Sequence, residues 1–240
     1  MKTKRLMILA IVLAAVLILP VGAKACLISV TVQVTAGNQA FDQTFTGDAV
    51  ATADGRFECV LVGQDVATFD EGAITYLKVF KNADPEVGVE FGVRAGGSAA
   101  TISILSDVVS FGPLVNPMAY ASAGVTLTNI APAGATITGL FGDGQTHQAR
   151  YNGTRVFANL VDTFVVPSTG TVVNEEEYGN ESSMITINDT LTSIESEFRF
   201  RLSARDSASG SSTFVVTPEP ATVCLFGLGA LSLLRKRKTV

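Results

Sequence analysis

Ile194-Glu195-Ser196-Glu197-Phe198-Arg199-Phe200-Arg201-Leu202 decides the fold class. Ile194, Ser196, Phe198, Phe200 and Leu202 fall on one face of an extended chain, and Glu195, Glu197, Arg199 and Arg201 fall on the other. That two-residue period is the mark of a half-buried β-strand. The charged face reads as solvated surface, contributing no more than cross-strand pairing. The same period returns twice upstream. Ile28, Val30, Val32 and Val34 alternate with Ser29, Thr31, Gln33 and Thr35, and Val87, Val89, Phe91 and Val93 alternate with Gly88, Glu90, Gly92 and Arg94.

Turn signals punctuate these runs: Gly37-Asn38, Gly47-Asp48, Asp54-Gly55, Asp84-Pro85, Gly96-Gly97, Asn116-Pro117, Gly142-Asp143-Gly144 and Asn152-Gly153. Their close spacing predicts many antiparallel strands, and Asn152-Gly153 predicts a hairpin because both residues tolerate positive φ. No long amphipathic helix is evident in the body. An all-β fold follows, an antiparallel β-sandwich or jelly-roll-like body of ten or more strands whose two sheets bury their apolar faces on each other. Val172 to Ser183, with Glu175-Glu176-Glu177, lacks apolar periodicity and reads as an acidic loop. Ser203 to Ser212, rich in Ser, Ala and Gly, reads as the end of the body, with Thr213 to Val216 as a further strand of the sheet.

Charge divides the chain into three. The net charge is -5 from 17 Lys+Arg and 22 Asp+Glu; residues 1–25 carry +4 and residues 217–240 carry +3, leaving -12 on residues 26–216. So acidic a body repels a phosphate backbone, and nucleic acid is excluded as a partner. Residues 26–216 are long enough for one well-packed domain. The N-terminal segment has Lys2, Lys4 and Arg5, then apolar Leu6 to Leu19, Pro20, and small residues ending Ala23-Lys24-Ala25. That is the layout of a cleaved secretory signal helix over residues 1–25. Cleavage after Ala25 makes Cys26 the first residue; an acylated Cys26 is the alternative, against which Lys24 and Ala23 stand.

The C-terminus reads Pro218-Glu219-Pro220, then the apolar run Ala221 to Leu234, then Arg235-Lys236-Arg237-Lys238. This order resembles the PEP-CTERM sorting tail of exported proteins from exopolysaccharide-producing bacteria. Pro218 and Pro220 fix their own φ and bias their predecessors away from helix, which leaves an accessible extended strip. Fourteen apolar residues make a helix of about 21 Å against a hydrocarbon core of about 30 Å, a marginal single transmembrane helix. The four cations hold its far end in the cytoplasm, so the body lies outside. The resemblance implies an exosortase-type membrane enzyme as the processing partner, with transient anchoring in the inner membrane before delivery to the cell surface or beyond.

Chemistry is sparse in the body. Cys26 and Cys59 are the candidate disulfide, and Cys224 falls in the apolar tail run. His147 is the only histidine; it reads as a surface residue beside the Gly142-Asp143-Gly144 turn, and with one histidine no His-paired zinc site or supported Ser-His-Asp triad can be built. No catalytic residue and no cofactor is singled out. Calcium is the metal the residue types suit, through Asp70-Glu71 or Glu175-Glu176-Glu177, although neither has EF-hand spacing. With no Trp and four Tyr, the composition speaks mildly against a sugar-binding platform. The expectation is a non-enzymatic exported protein with a structural or adhesive role and exopolysaccharide as a partner; a secreted carbohydrate- or calcium-binding module or a carboxylate-based hydrolase is the alternative. A concave cluster of acids lined by Tyr would favour the alternative, and a flat acid-coated sandwich the structural role.

Overall fold

The computed structural model describes residues 27–218, apart from residues 54, 70, 71, 83, 131 and 132 and the side chains of 61–67. Every strand pair in it is antiparallel. β1 (Leu27–Ala36) and β2 (Gln39–Asp48) form a hairpin, and β3 (Val50–Ala51), β4 (Phe57–Phe69), β5 (Gly72–Asn82) and β6 (Glu86–Arg94) form a meander. β7 (Ala100–Ser106), β8 (Val109–Val115), β9 (Met118–Asn129) and β10 (Ala135–Gly139) follow, then a short 3-10 turn at Gly142–Gly144. β11 (Gln145–Tyr151), β12 (Arg155–Asp162), β13 (Phe164–Val166), β14 (Gly170–Tyr178), β15 (Ile185–Thr186), β16 (Thr190–Leu202) and β17 (Ser207–Thr217) complete the body. Among the described residues no helix is long and apolar enough to cross a membrane. The expected signal helix (1–25) and tail helix lie outside the described residues.

The strands make two sheets. The first has the order β12-β11-β16-β7-β1-β2, with β10 and β8 also on β16 and β13 on β10; the second has the order β14-β9-β17-β6-β5-β4-β3, with β15 on β9. The expected alternations hold: Ile28, Val30, Val32 and Val34, then Val87, Val89, Phe91 and Val93, then Ile194, Ser196, Phe198, Phe200 and Leu202 are all buried. The two sheets meet where Phe91 of β6 packs on Phe198 and Phe200 of β16, with ring centroids 4.8 Å and 5.5 Å apart. Phe157 of β12 stacks on Phe214 of β17 at 5.1 Å. Such pairs add about 0.5–1.5 kcal/mol each beyond their area burial. Asn152 (φ 50) and Gly153 (φ 79) turn the β11–β12 hairpin as their residue types require.

Two segments depart from expectation. Ser203 to Ser212 does not end the body: from Ser207 it joins the expected Thr213 to Val216 strand in one long strand, β17 (Ser207–Thr217), central in the second sheet and paired with β6 on one side and β9 on the other. Its ladders supply the backbone hydrogen bonds, and its small residues are what the packing demands. A Cβ at Gly210 would come within 2.6 Å of the Phe91 ring and 2.9 Å of the Gly124 carbonyl. The Glu175-Glu176-Glu177 run is not a loop either, because Gly170–Tyr178 is β14, an edge strand paired residue by residue with β9. Its period-two alternation is carried by carboxylates rather than apolar side chains, so hydrophobicity does not reveal it.

Gly210→Ala is therefore expected to lower stability by about 1–3 kcal/mol through overpacking against Phe91. Gly112→Ala, whose Cβ meets no atom within 4 Å, should leave it unchanged. Urea unfolding midpoints of the two variants check the contrast.

Candidate functional site

The outer face of the second sheet carries a shallow trough. Its register places Glu175, Gly124, Ser211 and Glu90 in one row across β14, β9, β17 and β6, with Val173, Thr126, Ser209 and Gly92 in the row beside it. Small residues keep the floor low, and longer side chains of β14 on one side and β5–β6 on the other raise the walls. Two adjoining concavities of about 210 Å³ and 300 Å³ result, sharing Gly124, Glu175 and Ser211. Glu175 leans over the floor, its Cγ 3.1 Å from where a Cβ on Gly124 would stand.

The opposite wall is polar and fixed. Tyr76 donates its hydroxyl to Glu90 at 3.0 Å, and the Lys78 ammonium donates to the other oxygen of Glu90 at 3.2 Å and pairs with Glu58 at 3.1 Å. Burial first, then the hydrogen bond to Glu90, pushes the Tyr76 hydroxyl up, so it stays a donor. Burial alone would lower Lys78, but its bonds to Glu58 and Glu90 raise it on balance, so the ammonium stays charged. The trough therefore offers hydroxyl donors and acceptors on its floor, an exposed carboxylate at Glu175 and a rigid Tyr-Glu-Lys wall. Glu90, Tyr76 and Ser209 to Ser211 did not stand out in the sequence. The one available signal was the Gly88-x-Glu90-x-Gly92 face, an acid flanked by glycines.

His147 is not a surface residue: it is fully buried on β11, against the Phe198 ring at 4.8 Å. Its Nε2 shares a hydrogen bond of 2.9 Å with Ser196 Oγ, which meets Ser212 Oγ of the second sheet at 2.9 Å. Ser106 Oγ accepts from the Ser196 backbone N–H at 2.9 Å. The reason lies in β16, which changes partner here, from β8 at Thr190–Ile194 to β7 at Glu197–Leu202. The break in the ladder frees the Ser196 N–H, and a serine hydroxyl replaces the missing carbonyl. Burial lowers the His147 pKa from 6.5 to about 3, so the ring is neutral.

The charged face of β16 is likewise less solvated than expected. Glu195 and Glu197 are each 6% exposed, and Arg150 lies between them at 3.1 Å and 2.9 Å. Ser103 adds a hydrogen bond to Glu197 at 2.9 Å. Burial raises the Glu195 pKa; Arg150 opposes that shift and Glu197 reinforces it. This is a paired structural cluster on the outside of the first sheet, away from the trough.

The acids considered for calcium separate. Glu175 and Glu177 point outward, whereas Glu176 points inward and accepts from the backbone N–H groups of Val161 at 2.9 Å and Asp162 at 3.4 Å. Val161 has φ 65, a conformation rare for a β-branched residue, and Glu176 holds the chain there. Among the described residues no three His, Cys, Asp or Glu side chains converge as a metal site. Asp70 and Glu71 lie outside the described residues. Cys59 is buried on β4 against Gly47, its thiol pushed up by burial and by Asp48; Cys26, its expected disulfide partner, lies outside the described residues.

Of the tail, Pro218 stands exposed directly after β17. Glu219, Pro220 and the basic cluster Arg235, Lys236, Arg237 and Lys238 lie outside the described residues. A two-sheet antiparallel sandwich whose central strand runs straight into a Pro-Glu-Pro strip defines a β-domain with a C-terminal sorting signal. That signal is a PEP-CTERM protein-sorting motif, matched over residues 216–238. Proteins bearing it are exported, associate transiently with the membrane and are processed by exosortase.

Among curated proteins nothing matches the chain. Solved structures with some likeness include the enzymatically active domain of bacteriophage CBA120 tailspike protein 4, at 13% identity and TM-score 0.27, covering 78% of this chain and 19% of that one. Another is the arabinose-bound MgGH51 α-L-arabinofuranosidase, at 12% identity and TM-score 0.27, covering 69% of this chain and 24% of that one. The chain thus spans a quarter or less of either protein, and likeness at this level assigns it neither fold nor activity.

Stability should depend on His147 with a definite sign. Its folded pKa lies below its unfolded one, so the unfolded chain takes up the proton first as pH falls. Between pH 6.5 and about 3 the stability that the neutral ring contributes is therefore lost progressively as pH falls. Glu195 works in the opposite sense, since its raised pKa favours protonation in the folded state. The difference in urea-unfolding free energy between the wild type and His147→Gln isolates the histidine: the variant should show the shallower fall from pH 6.5 to pH 4.

Proposed function

We propose that the protein is an exported, exosortase-sorted surface protein with a non-enzymatic, adhesive role, whose contact surface is the trough on the outer face of the second sheet. The observation that carries this reading is the trough's form: open, shallow, floored by Ser209, Ser211, Ser122 and Gly124, and walled by Glu175 on one side and Tyr76 and Glu90 on the other. A surface of hydroxyls and carboxylates spread over four strands suits an extended, hydroxyl-rich polymer such as an exopolysaccharide. Each contact there is a single exchangeable hydrogen bond worth about 0.5–1.5 kcal/mol, so grip comes from many of them along a chain. Multiple copies delivered to one surface would add avidity.

A concavity lined by Tyr76, Glu90 and Glu175 is the feature expected of the alternative rather than of a flat structural sandwich, and the adhesive role proposed is accordingly that of a carbohydrate-binding module. The hydrolase branch of that alternative gains less support. Both oxygens of Glu90 are engaged, by Tyr76 and Lys78, which suits a structural ion pair better than a nucleophile or general acid. The paired Glu195 and Glu197 are neutralised by Arg150 and lie on the other sheet. Calcium, if bound, would draw on the outward Glu175 and Glu177.

Two experiments test the proposal. Replacing Pro218-Glu219-Pro220 with alanines should keep the chain membrane-associated and block the loss of its C-terminus; mature protein of unchanged mass and surface delivery would sink the sorting half. Ser211→Trp fills the trough from an exposed position and should weaken retention by purified exopolysaccharide of the producing cells in affinity electrophoresis, with an unchanged unfolding midpoint. Equal retention of variant and wild type would remove the trough from the account.

A further inference from the structure

The pole at which β17 ends carries an apolar groove, and the tether beyond it is very short. Phe111, Pro113 and Leu114 of β8, Pro85 of the β5–β6 turn, and Val216 and Pro218 line a concavity of about 490 Å³, with exposed Asp84 and half-buried Thr217 at its edge. Around it stand exposed apolar side chains: Val115 at 66%, Leu27 at 59% and Val108 at 45%. The β5–β6 hairpin joins the start of β1 and the end of β17 to this pole. Lys81 donates to the Leu27 carbonyl at 3.1 Å, and the Val216 N–H donates to the Pro85 carbonyl at 2.8 Å. At the opposite pole Asp206 accepts from the Ser203 hydroxyl at 2.5 Å and its backbone carbonyl accepts from Ala95 at 2.9 Å. Exposed Ile130 and Val165 stand there too, so what sets the first pole apart is its groove and the tail that leaves beside it.

The sorting motif begins inside the fold. Its first two residues, Val216 and Thr217, are still paired with Ala119 and Met118 of β9, so no flexible linker separates the sheet from the Pro-Glu-Pro strip. The apolar run starts at Ala221, three residues after Pro218. Three residues of fully extended chain reach about 10 Å. While that run is in a bilayer, the groove cannot stand farther from the lipid than this reach allows.

We infer that this apolar pole is a lipid-apposed face: the groove between β8 and the end of β17 rests on the bilayer interface while the tail is embedded, and so sets the height at which the Pro-Glu-Pro strip is presented. The inference rests on the reading of the tail as membrane-held. Phe111, Pro113, Leu114 and Pro218 leave apolar surface open to solvent in the groove, a hydrophobic penalty that interfacial contact relieves. Proline at Pro85, Pro113 and Pro218 keeps its rim stiff, with no N–H groups to desolvate. A fixed seat makes the distance from membrane to strip a property of the body rather than of a floppy linker, which is what a membrane-embedded processing enzyme needs to find its bond.

The chain has no tryptophan, so a single introduced one reports its own surroundings. Gly112 lines the groove, and a side chain there points into open space, with no atom within 4 Å of its Cβ. Full-length Gly112→Trp, Val165→Trp (56% exposed, on β13 toward the opposite pole) and Leu228→Trp (within the apolar run) would each be reconstituted in zwitterionic phosphatidylcholine vesicles with brominated acyl chains. An apolar face at an interface sinks about 5–10 Å, so Gly112→Trp fluorescence should be quenched by roughly half or more, and that of Val165→Trp should not change. Quenching of Leu228→Trp without quenching of Gly112→Trp overturns the inference and leaves the anchor standing. Absence of quenching in Leu228→Trp overturns both. Shielding of Gly112→Trp that arises only when the processing enzyme is added also overturns it, in favour of a protein occupant.

Discussion

The clasp of Phe91 between Phe198 and Phe200 is the constraint on which the rest of the sandwich depends. It joins the middle of one sheet to the middle of the other, and both partners sit on strands with neighbours on either side. β16 is held by β11 and β10 along one edge and by β8 and β7 along the other. β6 is held by β5 and β17. For the Phe91 ring to lie between the sheets, β17 must carry no side chain at Gly210, so the small residues of that strand are a condition of the aromatic contact. The Ser196 cluster lies next to it. Because β16 changes partners there, a buried N–H needs an acceptor; Ser106 supplies it, and the Ser196 hydroxyl in turn meets His147 and Ser212.

Function is distributed over the molecule by the same arrangement. Because β17 is central, its outer face forms the trough floor and its end delivers the sorting strip from the heart of the second sheet. Because β14 is an edge strand, its carboxylates divide. Glu175 and Glu177 face the solvent side, while Glu176 turns inward to hold the backbone at Val161, where β12 gives way to β13. The pole at Asp206 and the pole with the apolar groove around Phe111 and Pro218 then lie at opposite ends of the long strands. The trough is on a side face and the groove at the pole where the tail leaves, so the polymer contact and the membrane contact proposed above fall at different places on the body.

The sequence made the strands legible wherever burial and apolarity coincide, as in Ile28 to Val34, Val87 to Val93 and Ile194 to Leu202. It misled where other chemistry does the same work. His147 resembled a turn-side surface residue because its sequence neighbours are polar, yet burial is decided by Phe198 and Ser196, about fifty positions away. Glu195 and Glu197 resembled a solvated face because Arg150, which neutralises them, comes from a different hairpin. Ser203 to Ser212 resembled the end of the body because small polar residues show no period in hydrophobicity, although from Ser207 on they form part of a central strand and need none.

By itself the sequence determined the all-β class, the acidic body and the sorting tail, because each is a property of local composition: a two-residue period, a sum of charges, an ordered run of Pro-Glu-Pro, apolar and basic residues. Only the tertiary structure decided which strands are central, that the serines of β17 floor a trough walled by Tyr76, Glu90 and Glu175, and that the tail leaves beside an apolar groove. The physical reason is that these features are made by side chains far apart in sequence, brought together by cross-strand register and sheet packing. No local pattern encodes that register, since any strand with one apolar face can pair with many others; the packing of Phe91, Gly210 and Phe198 selects among them.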